Sequence, residues 1–408
     1  MITDRPVGRP HGVRALAAGL FVFGFGQELW IRFVPAFLRA LGASPLLIGA
    51  FGTLRDLLDA AYALPGGVLS DRLGSRRALL LFGCLTGCGF GLYLAHPTIP
   101  ILFLGLFLVM AWPALGLPAT FALVGEELGP ERRIAGFTLQ AVLKRLPVVI
   151  APPIGGLLLE RFGMQMGMRL GFLVSLVLAI AMLVALSRAF RRSPGQPTHA
   201  PSPRAPLPPA LRTLLAADVL VRLCEGLPDV FVVVWVLEIA GLSPSQFGLL
   251  TSILMATAIL SYVPAVALAG RAEKKGFIVL TYAFFTAFPV AVVLSHSFGA
   301  LAIAFAIGGL REIGEPSRKS FIVDSAPEAS RGRVVGMYYT VRGFAVAGAA
   351  AAGGLLWSVR PELTFLVAAG LGALGTALAA LFLHGGAHEK GRGPEGPRPA
   401  NTGGSFAQ

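Results

Sequence analysis

Ionisable side chains stand inside long apolar runs of this 408-residue chain. Glu28 and Arg32 are four apart, on one face of a helix. Arg55, Asp56 and Asp59 form a second group, and Lys144 with Arg145 a third. Asp218, Arg222, Glu225 and Asp229 are spaced four, three and four, which makes a continuous helical stripe. Arg311, Glu312 and Glu315 follow, then Arg342. Three kinds of chemistry are open to such groups. They can carry protons, because a carboxylate out of water holds its proton more readily; they can grip a charged solute; or they can pair with each other as braces. Asp229 and then Asp59 rank first as proton carriers, since neither has an arginine three or four positions further along. Arg55 does precede Asp59 by four. Glu28, Asp56 and Glu225 complete that set, while Lys144, Arg145, Arg222 and Arg342 favour an anionic solute. No nucleotide-binding Gly-Lys-Ser/Thr loop, His-Glu-x-x-His, Cys-x-x-Cys or Gly-x-Ser-x-Gly accompanies them. Neither an enzyme nor a bound cofactor or metal is expected.

The elements that position these groups are apolar to an unusual degree. The chain is 55% hydrophobic and 13% charged, against about 25% charged in soluble domains. Twelve runs read as membrane-spanning helices: 15–39, 46–69, 78–95, 100–124, 136–159 and 170–187, then 214–239, 246–269, 277–295, 299–323, 334–357 and 363–383. They are too long and too evenly apolar for barrel strands of about 10 residues. The charges fall on runs one, two, five, seven, ten and eleven, the pattern of a polar cavity inside a bundle. Cys84, Cys88 and Cys224 all lie in apolar runs and read as buried thiols.

Lysine and arginine divide unequally between the two sets of loops. One set, with both termini, holds 23; the other holds Arg39, Arg161, Arg169 and Arg360. That asymmetry places both termini in the cytoplasm of a multi-pass protein of the inner (plasma) membrane. It also accounts for the net charge of +13 without nucleic acid. Arg5, Arg9 and Arg14 precede the first run, which reads as an anchor rather than a cleaved signal. The expected organisation is a cytoplasmic N-terminus (1–14), a six-helix bundle (15–187), a Pro-rich cytoplasmic linker (188–213), a second six-helix bundle (214–383) and a disordered tail (384–408).

The two bundles repeat each other. At a shift of 199, Gly42, Ser44, Pro45 and Gly49 fall on Gly241, Ser243, Pro244 and Gly248. From the fourth run on the shift is 198, so that Pro118 falls on Pro316, Lys144 on Arg342, and Gly155-Gly156 on Gly353-Gly354. Between runs two and three the chain reads Gly67-Val-Leu-Ser-Asp71-Arg72-Leu-Gly74-Ser75-Arg76-Arg77. This resembles the loop 2–3 signature of the major facilitator superfamily, with Ser75 where a basic residue is usual. The resemblance implies an all-α membrane fold of two six-helix bundles related by a pseudo-twofold axis, with the solute site at their interface. It further implies a gate in which Asp71 faces the start of helix eleven while Arg72 and Arg76 approach Glu126 and Glu127, with Arg77 completing the motif. Ala151-Pro152-Pro153-Ile154-Gly155-Gly156 resembles the helix-five motif of the family's drug–proton antiporters, although helix four lacks the arginine of that group. The function so implied is a secondary active transporter that moves a small solute by rocker-switch alternating access, proton-coupled and directed outward, working as a monomer. A carrier of an anionic solute and a receptor-like or enzymatic derivative of the fold are the alternatives.

Cysteines introduced at Ser75, Thr198 and Glu273 should react with impermeant thiol reagents from the cytoplasmic side alone. Labelling of any of them from outside intact cells would reverse the orientation.

Overall fold

The computed structural model describes residues 10–115, 130–190, 207–268, 274–326 and 331–383. Among these the regular structure is helical throughout. In the first half, α1 (Pro10–Glu28) leads through a 3-10 turn at Ile31–Phe33 into a short α2 (Val34–Ala40). α3 (Pro45–Leu73), α4 (Ser75–Ala95) and α5 (Ile99–Val109) follow, with a π turn at Ala111–Leu115. α6 (Pro130–Phe190) is two helices joined by a kink at Gly163. The second half opens with α7 (Pro209–Asp229), a helical turn at Val232–Val234 and a π turn at Trp235–Ile239. α8 (Pro244–Leu268), α9 (Lys274–Val293), α10 (Phe298–Leu310), α11 (Glu315–Asp324), α12 (Arg331–Val346), α13 (Ala349–Val359) and α14 (Pro361–Phe382) complete it. Among the described residues six stretches are long and apolar enough to cross a membrane by length and composition, and one of them, Arg145–Arg188, is 44 residues long. About 20 residues suffice for one crossing.

Several expected runs are interrupted. The run 15–39 breaks after Glu28, and 214–239 breaks after Asp229, within two residues of each other at the repeat's shift. Pro228 removes a backbone donor at the second break. The run 299–323 breaks between Leu310 and Glu315, where Pro316 sits in the first turn of α11. The run 334–357 breaks at 347–348. Irregular backbone is tolerated at such depth where it lines a cavity or packs against protein. Helix starts are capped locally. Ser44 accepts from the Leu47 N–H. Ser243 and Gln246 form a reciprocal capping box, each side chain bonding the other's backbone N–H.

The halves meet along two equivalent seams. α3 packs on α12 and α13, while α8 packs on the first arm of α6. Small residues set the spacing. A Cβ on Gly49 would strike the Ala350 carbonyl, and one on Gly248 would strike the Pro152 carbonyl. Gly156 abuts Pro244 in the same way, and Gly354 abuts Pro45. Each contact is the repeat counterpart of another. Hydroxyls follow suit: Thr53 accepts from the Ala351 N–H at 3.0 Å, and its counterpart Ser252 donates to the Val149 carbonyl at 2.5 Å. Gly155 and Gly353 press on the carbonyls of Leu29 and Leu227, beside the two helix breaks.

Both halves hold aromatic clusters, that of the second around Trp235, Trp357, Phe231 and Phe365. In the first, Trp30 stands edge-on to Phe90, Tyr93 and Phe172, and its indole N–H donates to Ser175 at 2.9 Å. The second also holds a buried ionic network. Asp218, with no exposed surface, accepts from Arg318 at 2.6 Å, Tyr338 at 2.9 Å, and Arg342 and Tyr282 at 3.3 Å. Arg318 is 1% exposed and also pairs with Glu315 at 2.8 Å. The 23-to-four count treated Arg318 as a loop residue; it belongs to this core instead, because a carboxylate waits for it on α7. Cys84 and Cys88 also correct the sequence reading: they are exposed on α4, and only Cys224 is buried. An apolar helix in a bilayer turns one face outward, so apolar surroundings in sequence do not imply burial in protein.

Gly155→Leu and Gly353→Leu should each cost about 1–3 kcal/mol through overpacking. Gly91→Leu, with open space around its Cβ, should be silent in the same thermal unfolding assay. Asp218→Ala leaves Arg318 buried without its partner and should cost about 3–5 kcal/mol. Adding Arg318→Met should recover a large part of that loss; a double variant as unstable as the sum of its singles would show that the two do not act as a pair.

Candidate solute cavity

A cavity of about 350 Å³ lies between the halves. Both helix breaks open onto it: Glu28, Ile31 and Arg32 from the first, Pro228, Asp229 and Val230 from the second. Arg55 on α3 and Arg311 just beyond α10 add charge, and Phe247, Leu254, Met255, Phe288 and Phe305 form an apolar wall. The breaks explain why these side chains reach the lumen. Glu28 and Asp229, the last residues of α1 and α7, both line the cavity.

The charged groups pair in a definite pattern. Arg32 bonds Glu28 at 2.8 Å, as the four-residue spacing predicts. Arg55 serves two carboxylates, Asp229 at 2.7 Å and Asp56 at 3.1 Å. Glu225 serves two arginines, Arg222 at 2.7 Å and Arg311 at 3.2 Å. Arg222 also approaches Glu315 at 3.5 Å and Asp218 at 3.8 Å, which joins the lumen to the buried network. Beside the cavity, Arg145 crosses between halves to Glu312 at 2.9 Å and lies over the Tyr262 ring, whose hydroxyl bonds the same carboxylate. Arg342 faces Asp218 and covers Tyr339.

The sequence candidates thus separate. Glu28, Arg32, Arg55, Glu225, Asp229 and Arg311 come together on the lumen. Asp56, Arg145, Arg222, Glu312, Glu315 and Arg342 stand one ion pair behind it or in the network beside it. Asp59 is exposed on α3. The reading of Asp229 as the carboxylate with the fewest partners is corrected: its arginine comes from α3, in the other half of the chain, where same-helix spacing gives no sign of it. Sequence reasoning also missed Arg318, Tyr282 and Tyr338. The one signal was that Asp218 stands in the same helical stripe as the lumen residues Glu225 and Asp229.

Of the gating motif, Gly74 separates α3 from α4 at φ 81°, a conformation that favours glycine. Gly67 lies within α3, Arg72 and Arg77 are exposed, and Arg76 is half-buried. The side chains of Asp71, Ser75 and Lys144, and all of Glu126 and Glu127, lie outside the described residues.

Comparison with known proteins fits this architecture. The sequence profile of the Major Facilitator Superfamily matches residues 16–224 and 214–405. An uncharacterised MFS-type transporter of Methanocaldococcus jannaschii is 21% identical over 393 residues, 91% of this chain and 96% of the relative. The enterobactin exporter of Shigella boydii serotype 4 is 31% identical over 136 residues, 32% of this chain and 33% of the exporter. Among solved structures, the peptide transporter POT superposes with a TM-score of 0.74 at 17% identity, covering 92% of this chain and 94% of that one. That last likeness shows the fold alone. These proteins are transporters, not enzymes. The profile matches both halves, so the chain belongs to the Major Facilitator Superfamily and is a multi-pass membrane transporter.

Proposed function

We propose that this transporter spans the inner membrane twelve times, with both termini cytoplasmic, and expels a small amphipathic solute in exchange for protons by rocking its two halves about the cavity. One observation carries the reading: the Arg55–Asp229 ion pair joins α3 to α7, one half to the other, on the wall of the lumen. A proton arriving on Asp229 cancels the charge that holds Arg55. Arg55 then keeps only Asp56, on its own helix, and the bond between halves is lost. Protonation and rocking are thereby the same event. Glu28 and Glu225 stand within the same lumen and offer further sites on a proton's route. One chain contains both halves and the whole cavity, so a monomer suffices.

Export is supported by the partial similarity to an exporter and by the helix-five motif, whose Gly155 and Gly156 pack backbone to backbone at the α1 break and the α8 start. The anionic-solute reading gains nothing from the geometry, since Arg145, Arg222 and Arg342 each already face a carboxylate.

The experiment uses purified protein in proteoliposomes, with amphipathic solutes first chosen by thermal stabilisation. Wild-type protein should move such a solute uphill under an imposed pH gradient. Asp229→Asn should lose gradient-driven transport and retain part of solute counterflow. Equal loss of both modes at normal folded yield would make Asp229 a brace and end the case for proton coupling through it.

A further inference from the structure

The lumen is electrically divided. On its α3 side, Arg55 faces two carboxylates, Asp56 and Asp229, so this group carries one negative charge in excess. On its α10 side, Glu225 faces two arginines, Arg222 and Arg311. The network behind that pair does not cancel the surplus. Arg222, Arg311, Arg318 and Arg342 together meet three carboxylates, Asp218, Glu225 and Glu315. The remaining lumen pair, Glu28–Arg32, is balanced. A negative pole and a positive pole therefore share one wall, because Asp229 and Glu225 lie one turn apart on α7, about 6 Å along its axis. Within these poles the groups differ in reach. The Asp229 side chain is 46% exposed, the most open carboxylate among these ion pairs of the lumen, and Arg311 keeps 19%. The lining also has an apolar part, with Phe247, Phe288 and Phe305 upon it.

We propose that the cavity selects a small zwitterion bearing an apolar group: its cationic end goes to Asp229, its anionic end to Arg311, and its apolar body to the phenylalanines of the lining. This rests on the transport reading of the same cavity and adds the chemical class of the solute. A solute of single charge satisfies one pole and leaves the other to its surplus. A zwitterion meets both poles at once. The volume of about 350 Å³ admits a molecule of amino-acid or dipeptide size.

Two matched series test this: phenylalanine and phenylalanyl-alanine, each with its amide, which is a cation, and its N-acetyl form, which is an anion. Binding is read by thermal stabilisation and calorimetry on the full-length purified protein. At least one parent zwitterion should bind about tenfold or more tightly than both of its singly charged forms. Asp229→Asn should narrow that gap against the N-acetyl form, and Arg311→Gln against the amide, since each removes the reason for one end. In parallel, a cysteine at Thr251 on the lumen, in a cysteine-free background, is labelled from each side of membrane vesicles. Equal or tighter binding of an amide or N-acetyl form overturns the zwitterion. So does absence of binding by either series while Thr251→Cys reacts from both sides, and in that case the transport reading stands. Absence of binding together with one-sided labelling overturns both.

Discussion

A charge that sits at the depth of the hydrocarbon must find its counter-charge inside the protein, and the architecture of this transporter follows from that rule. It costs about 2.5–3.5 kcal/mol to place a lone ionised group at the centre of a membrane helix. Here the acids and bases of α1, α3, α7 and α11, with Arg311 and Glu312 just beyond α10, answer one another, several of them across helices that are distant in sequence. Asp218 is the extreme case, since it has no exposed surface and four groups within 3.3 Å. The helices that supply those groups, α7, α9, α11 and α12, are thereby held in one arrangement by ions as well as by packing. Among the described residues of the first half, rings gather around Trp30.

The interface between the halves works under a different constraint. It has to hold firmly and still be able to part. Backbone contacts through Gly49, Gly156, Gly248 and Gly354 meet the first need, because close approach of helices gives dense packing without interlocking side chains. A smooth seam of this kind also allows one half to tilt on the other. Among the described residues the polar links across it include Arg55–Asp229, Arg145–Glu312, Arg39–Glu238, and the hydroxyls of Thr53 and Ser252.

Much of this was legible in the sequence, for identifiable reasons. Long apolar runs, the 199-residue repeat and the Gly67–Arg77 motif each leave a local signature. So does a pair such as Glu28–Arg32, whose spacing alone puts both groups on one face. Asp229 shows where that reasoning stops. Its partner lies 174 residues away, and no rule of helical spacing relates them. Arg318 failed for another reason: near a helix end, an arginine that orients the chain and an arginine that joins the core look the same until the opposing carboxylate is located. The helix breaks were hidden because an apolar composition continues straight through them, as at Leu29-Trp30-Ile31.

The ion pair between Arg39 and Glu238, at 3.2 Å, has an unusual pedigree. The two residues are 199 apart, the interval of the repeat itself, so each occupies the same place in its own half. In a dimer of two identical six-helix chains, whatever stood at this place would meet its own copy on the twofold axis. Arginine would then confront arginine, and glutamate glutamate. Attraction at this point is open only to two halves that have become different, which covalent fusion permits and identity forbids. The contact therefore does something no symmetric ancestor could do. It tells the left hand of the molecule from the right, and it draws the two together at the spot where a perfect copy would have been pushed away.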